Sequence, residues 1–212
     1  MSQSPDLFSI AVPILIVLLS LTVHEAAHAW SADKLGDPTA RLLGRISLNP
    51  IVHIDVIGTI VLPLMAAISN FPIIGWAKPV PVNISRLRRH RQDFMLVAAA
   101  GPASNILIAI VAAILMRVVP QVSFGDSPYL NTHEVLFHAG AINIFLAVFN
   151  LIPIPPLDGG NVLAGLLPAS AAAALDSVRP FGFILLYVLM FSGILSELIV
   201  PPAQYLIRLL FL

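Results

Sequence analysis

The chain has 212 residues, of which 58% are hydrophobic and 10% are charged, whereas a soluble domain carries about 25% charged residues. Its 11 basic and 11 acidic residues give a formal net charge of zero, so no overall positive field indicates a nucleic-acid partner. Cysteine is absent, which excludes disulfides, thiolate metal ligands and cysteine nucleophiles. These values predict an all-α polytopic membrane protein, with a single integral-membrane domain over residues 1–212.

Apolar runs, taken in chain order, predict about four to six transmembrane segments. Core spans are expected over about residues 7–32, 94–119 and 133–160, and an accessory span over 180–200. Residues 51–70 are also apolar, but basic residues flank both ends. We therefore expect a re-entrant or spanning segment there, which is tolerated where it lines a cavity within the protein.

Two stretches close to the segment 51–70 predict short membrane-associated β-strands. Residues 39–48 contain two strand-like runs on either side of Gly44 and favour a hairpin. Pro79 and Pro81 exclude a helix around them and favour an extended edge strand over residues 79–83.

His24, Glu25 and His28 form the motif H-E-x-x-H near the end of the first span. On a helix, two histidines four residues apart lie on one face and can bind one metal ion. Glu25 lies next to the first histidine, where it can accept a proton from a water on that metal. Ionisable side chains inside an apolar span are costly and indicate function more than packing. The motif predicts a zinc site inside the membrane, with about one Zn²⁺ per chain.

A catalytic zinc of this kind needs a third protein ligand and an open position. The extended form of the motif is absent, because Ser31 and Lys34 occupy its glycine and third-histidine positions. Asp158 terminates a span that runs in the same direction as the first, so its depth is similar to that of His24. Asp158 is therefore the predicted third ligand, and Asp55 is the reserve.

Asn150, His53, Gly101 and Asn105 are further polar or small residues in or next to the apolar segments. Asn150 precedes the turn that carries Asp158, and it is a candidate for orienting the substrate or donating to the oxyanion; capping or joining helices is an equal alternative. His53 is interpreted as a support for the ligands or as an interfacial residue, not as a ligand. Gly101 and Asn105, in the motif G-P-A-S-N, are interpreted as residues of close helix packing.

With these motifs, the sequence resembles the site-2 protease family of intramembrane zinc metalloproteases, peptidase family M50. The resemblance rests on H-E-x-x-H at residues 24–28, on G-P-A-S-N at 101–105, and on N-L-I-P with L-D-G at 150–159. These match the family's three core spans in order, and the chain looks like its compact prokaryotic branch without PDZ or CBS domains. That branch often has proline after His-Ile-Asp, whereas this chain has Val56.

The resemblance implies an enzyme that hydrolyses peptide bonds within or next to transmembrane segments of membrane-protein substrates. His24, His28 and Asp158 would hold the zinc, and Glu25 would be the general base. The implied partners are transmembrane proteins or peptides and the lipid bilayer, without nucleic acid; no oligomeric state is predicted. An unwound substrate is expected to pair with one of the two predicted strand regions by strand addition.

The distribution of lysine and arginine predicts the orientation. With the N-terminus outside, every basic residue except Arg117 and Arg208 lies on the cytoplasmic side, as the positive-inside rule requires. We therefore expect a multi-pass protein of the prokaryotic plasma membrane whose active site faces the cytoplasm.

Two other functions use the same residues: a membrane metal-ion transporter and a catalytically inactive membrane scaffold. A transporter needs ligands near the bilayer centre and a route to both faces. Here the candidate ligands cluster toward one end, and no inverted repeat is evident. A scaffold would not require Glu25.

Overall fold

The computed structural model of the chain describes residues 7–69, 75–124 and 131–212. In these ranges the backbone is mainly helical and contains no sheet, with one isolated bridge between Ser123 and Asn131. A helix satisfies its own backbone hydrogen bonds, which is what an apolar segment in lipid requires. The α-helices are α1 (Leu7–Lys34), α2 (Thr39–Leu42), α3 (Leu62–Ser69), α4 (His90–Val118), α5 (Thr132–Asn150), α6 (Asp158–Leu166), α7 (Ala169–Val178), α8 (Gly182–Phe191) and α9 (Ile194–Phe211).

Within the described ranges, five helices are long and apolar enough to cross a membrane. They are Ala11–Lys34 of α1, α4, α5, the stretch Ala169–Phe191 that joins α7 to α8, and α9. The predicted core spans correspond to α1, α4 and α5. However, α5 ends at Asn150 instead of near residue 160, because the prolines that follow cannot continue a helix.

The central helix of the bundle is α4, which packs against α1, α5 and α6. Ala109 of α4 lies in one buried cluster with Ile144 of α5 and Ala203 of α9, so small side chains let these helices approach closely. Arg117 Nη2 donates to Leu210 O at 3.0 Å, which places the carboxyl ends of α4 and α9 together. The first half of α4 lies beside the H-E-x-x-H motif of α1.

The segment predicted to be re-entrant or spanning contains a short helix. A 3₁₀ turn, Pro50–His53, is followed by a π-helical turn, Val56–Val61, that continues into α3. The 6 residues of the π-helical turn and the 8 residues of α3 extend over about 20 Å, less than the ~30 Å hydrocarbon core of a bilayer. Residues 70–74 lie outside the described ranges, after which Trp76 N–H donates to Gly58 O. A re-entrant path in the membrane stays a prediction.

The predicted hairpin over residues 39–48 is wrong, because α2 occupies Thr39–Leu42 and the chain then turns at Gly44, whose φ is +66°. Asp37 Oδ1 accepts the N–H of Thr39 at 3.1 Å. A carboxylate that binds the backbone two residues later favours the start of a helix over a strand. The Asp-Pro-Thr sequence is therefore a helix start in this chain.

Residues 75–83 form neither helix nor strand, so the predicted edge strand over 79–83 does not belong to a sheet. The N–H groups of Trp76, Lys78 and Val80 donate to Gly58 O, His53 O and Glu25 Oε2. Hydrogen bonds from every second residue are typical of an extended chain. We call residues 75–83 the extended segment.

The predicted accessory span over residues 180–200 is two helices instead of one. Helix α8 ends at Phe191, Gly193 adopts a left-handed φ of +82°, and α9 begins at Ile194. Helix α9 then continues past residue 200, through Pro201 and Pro202. Hydropathy did not reveal the break, because the residues on both sides of Gly193 are mostly apolar.

The break at Gly193 predicts whether an alanine there stabilises or destabilises the protein. Gly193→Ala should lower the free energy of unfolding by about 1–2 kcal/mol, because alanine carries the Cβ penalty of the left-handed region. Gly193→Asn should lose less, since asparagine tolerates that region better. Thermal unfolding in detergent measures both. In a continuous helix, alanine would instead stabilise by about 1 kcal/mol, so an increase in stability would contradict the break.

Candidate metal centre

His24 and His28 lie on the buried face of α1, where they are 4% and 9% exposed. Residues four apart stack on one side of a helix, one turn above the other. The two imidazole rings meet edge to face, with centroids 4.6 Å apart, and their Nε2 atoms are separated by 3.0 Å. Both Nε2 atoms therefore face a common point.

Asp158 completes a cluster of three side chains at that point. It is the first residue of α6, and its Oδ2 lies 3.0 Å from His24 Nε2 and 3.3 Å from His28 Nε2. Among the described residues, these three form the one group of histidine, aspartate and glutamate side chains that could hold a metal ion. The three predicted ligands come together although Asp158 is 134 positions from His24.

Hydrogen bonds on the far side of each ring decide which nitrogen faces the cluster. His24 Nδ1–H donates to Asn105 Oδ1 at 2.6 Å, and His28 Nδ1–H donates to Val97 O at 2.7 Å. In a neutral imidazole with a proton on Nδ1, Nε2 carries a lone pair. When both imidazoles are neutral, two lone pairs and a carboxylate oxygen meet without a proton between them, an arrangement that a cation stabilises.

The cluster fits a zinc ion in both geometry and chemistry. Tetrahedral ligands that lie about 2.0–2.1 Å from zinc are about 3.3 Å from one another, close to the 3.0–3.3 Å observed here. Gly101 of α4 keeps the space open, because a Cβ there would overlap Nε2 of both His28 and His24. Two imidazole nitrogens and one carboxylate oxygen are an established donor set for catalytic zinc.

Asn105 and Asn143 form a buried polar chain behind His24. Asn105 Nδ2 donates to Asn143 Oδ1 at 2.7 Å, and Asn143 Nδ2 donates to Ser20 Oγ at 2.8 Å and to Ala139 O at 2.8 Å. Both asparagines are 0% exposed, so an unpaired amide here would be costly. These partners turn the Oδ1 of Asn105 toward His24.

The sequence interpretation assigned Asn105 to packing and did not single out Asn143. A signal was present, since Asn105 lies one turn after Gly101 and Asn143 lies in the middle of an apolar span. Polar side chains inside such spans indicate function as the histidines do. The orientation of the two amides, however, follows only from the packing of α4 against α5.

Glu25 is half-buried beside the cluster, on the flank of α1 next to His24. Its Oε2 accepts the N–H of Val80 at 2.9 Å. The extended segment therefore passes over the carboxylate that the motif presents next to the metal site.

Three other predicted residues have different partners. Asn150 Nδ2 donates to Leu146 O of its own helix at 2.9 Å, so a role at the oxyanion stays a prediction. His53 is buried, and its Nε2–H donates to Ser47 O at 2.8 Å, which supports a loop and not a ligand. Asp55, the reserve ligand, caps the π-helical turn by accepting the N–H groups of Ile57 and Gly58.

Known proteins show where the chain belongs. Residues 118–193 match the model of peptidase family M50, a stretch that includes Asp158. YwhC of Bacillus subtilis, named as a zinc metalloprotease, is 35% identical over 190 residues, which cover 89% of this chain and 84% of YwhC. Rip2 of Mycolicibacterium smegmatis, also named as one, is 28% identical over 181 residues, 85% of this chain and 66% of Rip2.

A more distant relative is the zinc metalloprotease MJ0392 of Methanocaldococcus jannaschii, 24% identical over 157 residues, 74% of this chain and 34% of that protein. No solved structure gives a significant match. The identity to YwhC extends over most of both chains, and the apolar helices make the protein an integral, multi-pass membrane protein. The chain therefore belongs to peptidase family M50, the site-2 protease family of zinc metalloproteases.

Proposed function

We propose that the protein is an intramembrane protease that hydrolyses peptide bonds within or next to transmembrane segments of membrane-protein substrates. One observation carries the proposal: the three donor atoms converge at 3.0–3.3 Å beside helices that are long and apolar enough to span a bilayer. A peptide bond that is cleaved at this cluster must therefore reach the site from within or beside the membrane.

His24, His28 and Asp158 would hold the zinc. When bound, zinc acts as a Lewis acid that lowers the pKa of water and polarises the scissile carbonyl. Glu25 takes a proton from the attacking water and delivers it to the leaving amine. Val80 N–H binds Oε2 of Glu25 and so orients the carboxylate, whose remaining lone pairs can accept that proton.

A helical substrate hides its carbonyl groups, so it must unwind before cleavage. The contacts of the extended segment argue against strand addition at residues 79–81. Pro79 and Pro81 have no N–H, and the N–H of Val80 is already bound by Glu25. A substrate strand would therefore find no free N–H donor at residues 79–81.

We further propose that the site faces the cytoplasm. The two basic residues outside the cytoplasmic set, Arg117 and Arg208, lie near the joined carboxyl ends of α4 and α9. The basic residues Arg45 and Lys78 lie instead at the extended segment beside Glu25. This separation of charge between the two ends agrees with the positive-inside rule.

The ligand assignment predicts metal content. Purified protein should hold about one zinc per chain, and His24→Ala and Asp158→Ala should each lose it, because two ligands do not retain a catalytic zinc. Asp55→Ala is the matched control and should keep the metal, since Asp55 only caps a helix. Elemental analysis by mass spectrometry measures this. Metal loss in Asp55→Ala with retention in Asp158→Ala would contradict the assignment.

The role of Glu25 predicts a separation of binding from turnover. Glu25→Gln should keep zinc but lower cleavage of a co-expressed single-span membrane protein by at least about 100-fold, because an amide cannot accept the water proton. Glu197→Gln makes the same change at an exposed glutamate and should cleave normally. Near-normal cleavage by Glu25→Gln would instead favour transport or scaffolding.

The orientation predicts labelling from one side. The chain has no cysteine, so single cysteines at Ser47 and Ser85 provide unique thiols on the two loops that we assign to the cytoplasm. A membrane-impermeant thiol reagent should label both only after the membrane is opened. Labelling of either thiol in intact cells would show that its loop lies outside.

A further inference from the structure

Arg45 is a buried cation without a carboxylate partner. It is 7% exposed, and it takes part in none of the ion pairs among the described residues. Its Nη2 donates to Lys78 O at 2.6 Å and to Pro79 O at 3.3 Å. A buried charge is costly unless an opposite charge compensates it. The question is therefore which negative group compensates the charge of Arg45.

The compensating charge lies at the other end of a single peptide group. Pro79 O and Val80 N–H belong to the same peptide unit, in which C=O and N–H point in opposite directions when the bond is trans. Arg45 binds the oxygen at 3.3 Å, and Glu25 Oε2 accepts the N–H at 2.9 Å. The peptide dipole is thus aligned between a guanidinium and a carboxylate, and hydrogen bonds in such a chain strengthen one another.

The local sequence makes this peptide group specific. Pro79 and Pro81 lack N–H groups, so Val80 supplies the sole donor of residues 79–81. A proline also restricts the residue before it to extended conformations, which affects Lys78 and Val80.

Two further hydrogen bonds hold the extended segment on either side of this peptide. Lys78 N–H donates to His53 O at 2.9 Å, and Asn83 N–H donates to Asp37 Oδ2 at 2.6 Å. The peptide between Pro79 and Val80 is therefore fixed by hydrogen bonds on both sides along the chain. Between them, Arg45 binds the carbonyl groups of Lys78 and Pro79.

We propose that Arg45 is a positioning residue for Glu25, acting through the peptide group between Pro79 and Val80. It fixes the N–H that holds Oε2 and thereby fixes the orientation of the carboxylate that accepts the water proton. This inference rests on the proposed role of Glu25 as the base. The proposal also gives the buried guanidinium a function, which is to hold this peptide group. Hydrogen bonds from a charged group are among the strongest in proteins.

The first test separates positioning from folding and metal binding. Arg45→Gln should lower kcat about tenfold to hundredfold, the range for loss of a hydrogen bond to a charged group, with KM and zinc content unchanged. Arg41→Gln is the matched control, because Arg41 is an exposed arginine that pairs with Asp33; it should leave kcat unchanged. Full kcat in Arg45→Gln, or loss of zinc together with activity, would overturn the proposal.

The second test asks whether Arg45 acts through the peptide. Val80→Pro deletes the N–H, whereas Val80→Ala shortens the side chain and keeps it, so kcat should fall more in Val80→Pro. In the double variant of Arg45→Gln and Val80→Pro, kcat should fall no further than in the more damaged single variant, because both changes break one connection. Losses that multiply would show that Arg45 acts by another route and would overturn the proposal.

The two tests also distinguish this proposal from the proposed function. If Glu25→Gln keeps its turnover, the role of Glu25 fails, and the present inference fails with it. If Glu25→Gln is inactive while Arg45→Gln is fully active, only the present inference fails. Should Arg45→Gln not accumulate in the membrane, the comparison of Val80→Pro with Val80→Ala still decides, since equal kcat in those two variants would overturn the proposal.

Discussion

The hydrogen bond from His24 Nδ1–H to Asn105 Oδ1 decides which nitrogen of that ring is left for a metal. Asn105 is held by Asn143 of α5, and Asn143 is held in turn by Ser20, one helical turn before His24 on α1. The chain of polar contacts therefore starts and ends on α1 and passes through α4 and α5. An unpaired amide in apolar surroundings is costly. The three helices are therefore stabilised in the relative position in which Asn105, Asn143 and Ser20 all have hydrogen-bond partners.

Two different parts of the chain position the two halves of the chemistry. Helices α4 and α5 hold the histidines from behind, and Gly101 leaves the space in front of their Nε2 atoms open. The extended segment holds Glu25 from the other flank of α1, through a peptide group that Arg45 binds. Under the proposed function, metal binding and proton transfer would depend on separate contacts. This separation is why a variant is expected to keep zinc while it loses turnover.

The sequence predicts the three side chains that the fold brings together, although Asp158 begins a separate helix, α6, and does not end one continuous span over residues 133–160. His24 and His28 are fixed by helical spacing, and Asp158 was reached from the depth of its span, which the fold reproduces. The same reasoning did not assign a role to Asn105 or Asn143, because the direction of an amide depends on partners from other helices. Hydropathy also could not reveal the turn at Gly193, since the residues on both sides of it are mostly apolar.

The hairpin prediction over residues 39–48 failed for a different reason than the missed break at Gly193. Residues 39–48 contain strand-like runs, but Asp37 binds the N–H of Thr39, and the chain forms the helical turn α2 there. A local side-chain contact thus outweighed the propensity of the run. In the extended segment, the prolines correctly predicted an extended backbone. However, the N–H of Val80 binds Glu25, the candidate base, instead of a neighbouring strand.

X-ray absorption at the zinc edge of the purified protein tests the central claim most directly, because it reports the ligands themselves. Two imidazole nitrogens and a carboxylate oxygen in a four-coordinate site should give a first shell at about 2.0–2.2 Å with the multiple scattering of two histidine rings. A shell of six oxygens, or the scattering of fewer than two imidazoles, would contradict a zinc held by His24, His28 and Asp158.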